Sequence, residues 1–188
     1  MNPFIVPDLV CVALCIVGAV TDVRSRRLPN WLTGTGVAAG LVLNPVAALL
    51  QLEPSQSPAV GVVSGFMAAA VGCLLLLICF GLMAALKFLR WGDVKMMAAV
   101  GALLRWPAAV WALAYVGLAG GVVALGYALF KGRLGHVFRN IYTIGSSKVR
   151  RDDRAQEVEL HSFPYGLAIL IGATWAAAAN WFPALRIP

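Results

Sequence analysis

The sequence predicts an all-α polytopic membrane protein: six transmembrane helices with a short interfacial helix, in a single transmembrane domain over residues 1–188. Three observations carry this expectation. The chain is 61% hydrophobic with only 12% charged residues, against about 25% charged in ordinary globular proteins. Apolar runs of about 18 residues or more recur, each long enough to cross a hydrocarbon core of roughly 30 Å. The basic residues fall in short loops between these runs. A soluble domain of this length could not hide so much apolar surface.

The first span covers 4–21 and gives way to a charged loop, 22–30. Met1 to Asp8 holds no Lys or Arg, and no small-residue cleavage site follows, so this run reads as a retained helix rather than a cleaved signal. The second span covers 31–50. Asn44-Pro45 is expected to kink it or loosen its last turns, because proline removes a backbone donor. Segment 51–58 (QLEPSQSP) is a polar loop, and the third span, 59–86, is long enough to tilt. The next apolar piece, 94–104, gives only about 16 Å of helix and crosses only with 91–93 and 105–106 counted in. Pro107 opens the fifth span, which ends near 130, and the sixth runs from Pro164 to about 182. In the cytoplasmic loop 131–160, Leu134, Val137, Phe138, Ile141 and Tyr142 recur at helical spacing, with Arg133, His136 and Arg139 off that stripe. This pattern suits a helix lying in the interface, and 148–159 follows as a solvated mixed-charge loop. The pairs Gly36/Gly40, Gly61/Gly65 and Gly117/Gly121 offer flat faces for close helix packing.

Six spans place both termini on one side and the loops 22–30, 87–95 and 131–160 on the other. Thirteen of the fifteen Lys and Arg residues then share the loop side, with Arg105 and Arg186 opposite. The positive-inside rule makes the loop side cytoplasmic and both termini external. The formal charge of +7 therefore serves orientation and contact with anionic lipid rather than nucleic acid. Cys11, Cys15, Cys73 and Cys79 all lie inside apolar runs and read as small buried hydrophobes, not as metal ligands. No cofactor or metal is implied, and no Gly-x-Ser-x-Gly, His-Glu-x-x-His or phosphate-cradling glycine loop is present.

Two acids stand out at span ends on the basic side. Asp22 lies in Thr21-Asp22-Val23-Arg24-Ser25-Arg26-Arg27-Leu28-Pro29-Asn30, and Asp93 in Arg90-Trp91-Gly92-Asp93-Val94-Lys95. Two spans separate them, so both reach the same membrane face. Acids at such positions are expensive unless paired or functional. Two aspartates sharing one desolvated site cannot both ionise, which yields a general acid and a general base from identical side chains. Plainer readings remain beside this one: Asp93 as a cap of the fourth helix, and Asp22 paired with Arg24 or Arg26 in a solvated loop.

Asp22-x-Arg24-x-x-x-Leu28-Pro29-Asn30 and Gly92-Asp93-Val94-Lys95, followed by Pro164-Tyr165-Gly166-Leu167-Ala168-Ile169 with Gly172, resemble in family order the type IV prepilin peptidases. These are the Gly-x-Gly-Asp class of membrane aspartic proteases. The resemblance implies that Asp22 and Asp93 are the catalytic aspartates, with Gly92, Lys95, Arg24, Pro29 and Asn30 binding substrate or shaping the site. It implies an enzyme of the bacterial inner membrane that cuts leader peptides from prepilins or pseudopilins near the cytoplasmic face. Arg90 stands where the family has its first glycine. The long cytoplasmic insert with a cysteine tetrad, which accompanies N-methylation, is missing, as in the short form associated with Flp/Tad-type pili. The competing reading is a degenerate homologue serving as an assembly subunit of a pilus or secretion machine. A small transporter fits less well, because the middles of the spans hold almost no polar groups.

Overall fold

A computed structural model describes residues 3–25, 28–53, 55–86, 89–130 and 165–182. The expected interfacial helix and the mixed-charge loop after it lie outside these residues. The described chain forms α1 (Ile5–Ser25), α2 (Asn30–Leu49), α3 (Pro58–Ala85), α4 (Trp91–Leu104), α5 (Ala108–Phe130) and α6 (Gly166–Trp181). It is an all-α polytopic membrane protein. The helices α1, α2 and α3 each have the length and hydropathy to cross a bilayer. Their outward faces are apolar, with Val20, Val42, Phe66, Ile78 and Leu82 exposed, a surface suited to acyl chains rather than water.

Two local expectations change. The first helix does not stop at 21 but runs through Asp22 to Ser25. The Thr21 hydroxyl donates to the Val17 carbonyl at 2.6 Å and the Ser25 hydroxyl to the Thr21 carbonyl at 2.8 Å, so these polar side chains bond back within the helix instead of diverting it. The second helix passes through Pro45 to Leu49 without losing its last turns. Asn44 secures that stretch: its Nδ2 donates to Gly40 O at 3.0 Å and, across to α4, to Ala102 O at 2.9 Å and Leu103 O at 3.2 Å.

The short helix α4 is the centre of the bundle. Every residue from Met96 to Leu104 is buried, as are Asp93 and Val94, and the helix packs against each of the other five. A helix apolar on nearly every side is either buried in protein or set against acyl chains, and α4 takes the interior place. By contrast, α3 buries a single stripe, Gly61, Gly65, Ala69, Gly72, Leu76, Phe80 and Ala84, and packs chiefly on α2 and α4. The closest approach was not foreseen: Gly72 of α3 and Gly101 of α4 stand backbone to backbone, and a Cβ on either would strike the other's carbonyl oxygen. Of the three expected glycine pairs, Gly40 meets the Ala102 backbone, Gly65 meets the Asn44-Pro45 backbone, Gly36 meets Leu14 and Ala99, and Gly61 meets Leu52. Gly117 and Gly121 have nothing within 4 Å among the described residues.

Gly72→Leu should therefore drive α3 from α4 and lower the thermal midpoint of the purified protein, at a cost of at least the ~1–3 kcal/mol typical of overpacking. Gly117→Leu, with nothing beside it among the described residues, should leave the midpoint within about the ±0.5 kcal/mol of an ordinary surface change. A thermal scan of both variants in one detergent compares them directly.

Candidate active site

The last turn of α1 carries Asp22 and the first turn of α4 carries Asp93. Both are almost wholly buried, at 2% and 3% exposure. The two carboxylates are close enough to act on each other's charge, and Arg90 acts on both. Arg90 is the N-cap residue of α4. Its Nη1 lies 3.4 Å from Asp22 Oδ1, and its backbone N–H donates to the Asp93 side chain. That bond is one half of a capping box, with the third helical residue reaching back to the cap. Asp93 is therefore not the N-cap residue expected of it but the third residue of the helix, within the cluster. Asp22, for its part, meets Arg90, sixty-eight residues away, rather than its helix neighbour Arg24; Arg26, the other partner expected, lies outside the described residues.

The N-terminus of α6 closes the cluster. The Gly166 backbone N–H donates to Asp22 Oδ2 at 3.2 Å, where the unpaired amides of a helix start favour negative charge. A side chain at 166 would meet Asp22 Cβ and Oδ2 at 3.1 Å and the Ala19 Cα at 3.3 Å, so glycine is what lets α6 settle there. Tyr165 lies within electrostatic reach of Asp93, and its ring packs against Gly120 of α5.

Of the residues expected to shape the site, Lys95 and Asn30 meet each other: Nζ donates to Asn30 Oδ1 at 2.9 Å on the exposed rim. Pro29 is the N-cap residue of α2 and accepts the Leu32 N–H at 3.1 Å. Arg24 is exposed and lines a groove of about 360 Å³ with Ile16, Ala19, Val20, Val23, Leu167 and Leu170. Gly92 is part of the α4 helix. A Cβ there would meet Leu28 only at 3.7 Å, an ordinary contact, and its φ is not in the left-handed region. Neither close approach nor positive φ therefore requires a glycine at 92.

A second polar cluster, at the opposite ends of the same helices, was missed by the sequence reading. Asp8 of α1 is fully buried. Arg105 Nη1 donates to its Oδ1 at 3.1 Å, while Trp181 Nε1 and Asn180 Nδ2 donate to its Oδ2 at 3.1 and 3.4 Å. One signal was available. An acid near the start of the first apolar span and a lone arginine after the fourth lie on the same membrane face by span parity.

The model of the type IV leader peptidase family matches residues 9–125, which hold Asp22, Arg90 and Asp93. The chain belongs to the type IV leader peptidase family. The prepilin leader peptidase/N-methyltransferases of Burkholderia pseudomallei strains 1026b and K96243 are each 31% identical to it over 124 residues. The match takes in 66% of this chain but 37% of the relatives, so the chain spans little more than a third of their length. No solved structure matches the chain. The matched segment ends within α5, and Tyr165 and Gly166, which the fold brings beside the acids, lie beyond it.

Alanine at Gly92 should leave stability unchanged or raise it by up to the ~0.5–1 kcal/mol by which alanine exceeds glycine in a helix. Alanine at Gly166 should lower it by about 1 kcal/mol or more, since the Asp22 neighbours have to give way. Thermal midpoints of the two variants, measured side by side, check the contrast.

Proposed function

We propose that the chain is a membrane aspartic endopeptidase. It cleaves the leader peptide of type IV, Flp-type, prepilins or pseudopilins at the cytoplasmic face of the inner membrane and does not N-methylate the product. The observation that carries this reading is the meeting of two buried aspartates, Asp22 and Asp93, at the adjoining ends of α1 and α4. Family membership supports the reaction class. The thirteen basic residues in alternate loops support the cytoplasmic side, and the short 22–30 connection without cysteine supports the absence of methyl transfer.

In the mechanism, the two carboxylates hold one proton between them. The ionised aspartate takes a proton from a water molecule as the oxygen attacks the scissile carbonyl carbon. The protonated aspartate gives its proton to the carbonyl oxygen, so a neutral gem-diol forms. The gem-diol then collapses: the C–N bond breaks, the amine takes a proton from one carboxyl group, and the other accepts the hydroxyl proton. Burial strengthens each transfer by removing competing water. Lys95, Asn30, Pro29 and Arg24 lie around this end of the bundle and form the rim that a substrate backbone meets.

The Arg90–Asp22 contact favours a second reading. An arginine held against one acid occupies it, as in a catalytically degenerate homologue acting as an assembly subunit.

Against a candidate prepilin, Asp22→Asn and Asp93→Asn should each lower cleavage by at least the ~10²–10⁴-fold owed to acid–base catalysis, with membrane levels intact. Activity should persist in chelators and in serine- and thiol-directed reagents. Near-normal turnover in either variant would exclude the two-aspartate mechanism. A silent wild type that Arg90→Gly awakens would establish the second reading.

Orientation has its own check. Reporter fusions after Arg27, Lys95 and Arg150 should report cytoplasm, and fusions at Glu53 and the C-terminus should report the exterior. An external signal from the 87–95 loop would separate the two acids across the bilayer and end the proposal.

A further inference from the structure

We infer that Asp8 and Arg105 are positioning residues, which set α1 against α4 at one membrane face and thereby place Asp22 against Asp93 at the other. The kinetic half of this inference rests on the peptidase reading; the geometric half does not.

The two ends of α1 are built alike. Each carries a buried aspartate paired with an arginine that flanks α4: Asp22 with Arg90 at its N-cap, and Asp8 with Arg105 at its C-cap. Each aspartate also takes donors from α6, Asp22 from Gly166 at its start, Asp8 from Asn180 and Trp181 at its end. The Asp8 end is the tighter one. Both oxygens are engaged by three side chains, and the carboxylate is wholly buried beside a largely buried arginine.

Arg105 is itself held in place from every side. Its guanidinium lies 3.8 Å from the centroid of the Phe4 ring, within cation–π range. Its backbone, at φ 54 and ψ 171, occupies a region almost confined to glycine, which persists only where the surroundings over-determine it. The next residue is tied to α3 through Trp106 N–H to Ala68 O at 2.9 Å. An arginine so fixed is a landmark against which α1 can be registered.

Helix geometry transmits that registration. Asp8 and Asp22 are about 21 Å apart along the α1 axis and within about 40° of each other around it. Both therefore face α4 and α6 together. A helix that cannot slide or roll at Asp8 cannot slide or roll at Asp22. An uncharged residue at 8 leaves Arg105 unpaired and α1 free to roll about the weaker Arg90 contact. Misplacement of reacting groups by about 1 Å from a remote change lowers rates by up to ~10²-fold.

The test uses the purified full chain in lipid nanodiscs, with the native cysteines replaced by alanine and spin labels on Val23→Cys and Trp91→Cys, both exposed positions beside the acids. The unsubstituted pair should give one narrow label-to-label distance distribution. Asp8→Asn and Arg105→Lys should broaden or shift it, and in unlabelled protein should lower kcat by about 10²-fold with KM held within about two-fold. A double variant, Asp8→Leu with Arg105→Met, separates position from stability, because apolar replacement of a buried ion pair commonly restores stability. A recovered thermal midpoint with a still-broadened distribution supports positioning. An unchanged distribution in the folded single variants, or one that returns to normal with the midpoint in the double variant, overturns the inference. If the wild type cuts no prepilin, the peptidase reading fails while the distance measurement still decides this one.

Discussion

A carboxylate surrounded by apolar side chains must be given donors, and this bundle is arranged around that requirement. The first helix brings two such groups, one near each end, and neither is left to water. At each end a neighbouring arginine and the nearer terminus of α6 supply the hydrogen bonds. The cost of removing a charge from water is large, and breaking one partner of such a pair leaves the other uncompensated. Consequently α1, α4 and α6 cannot shift relative to one another without exposing or orphaning an aspartate. The apolar packing fills the space these polar contacts define.

That packing in turn explains why α4 is short and buried. Its length, about 21 Å, matches the axial distance between the two aspartates of α1, so an arginine at each flank meets an acid. Its surroundings are made thin rather than bulky: Gly72, Gly40 and Ala102 bring α2 and α3 to backbone contact. Between lipid-facing helices, association relies on such close van der Waals contact and on hydrogen bonds, since acyl chains are as apolar as leucine. Asn44 supplies the hydrogen bonds, donating to two carbonyls near the end of α4. The central helix is thereby fixed laterally by small residues and at its termini by charge.

Much of this was legible in the sequence. Run lengths gave all six helices within a few residues, and span parity brought Asp22 and Asp93 to one face. Local patterns around those acids pointed to the family. What was not legible depends on which residues face one another across helices. The Gly72/Gly101 contact has no motif, because its halves sit on different helices. Asp8 was passed over within the first apolar run, since its partners at 105, 180 and 181 are remote in sequence. The end of α1 was misplaced because Asp22 to Ser25 read as loop, whereas hydroxyls bonding back to carbonyls allow a polar turn to remain helical. Gly92, expected to shape the site beside the acid, is an ordinary helical residue with room for a methyl group.

The two arginine–aspartate pairs show how one chemical motif serves different ends through its surroundings. Arg105 is buried, with its side chain 14% exposed, and its aspartate has no vacant oxygen. Nothing in that arrangement can admit another molecule, which suits a fixed brace. Arg90 is 34% exposed and reaches Asp22 at 3.4 Å, the long end of hydrogen-bond range, where attraction is weakest and solvent screening strongest. Its long stem allows the guanidinium to swing toward the headgroups while its backbone continues to cap α4 and hold Asp93. An arginine in this position holds its aspartate more loosely than Arg105 holds Asp8. Asp22 also takes the Gly166 N–H at 3.2 Å, while the tighter pair anchors the same three helices at the other face.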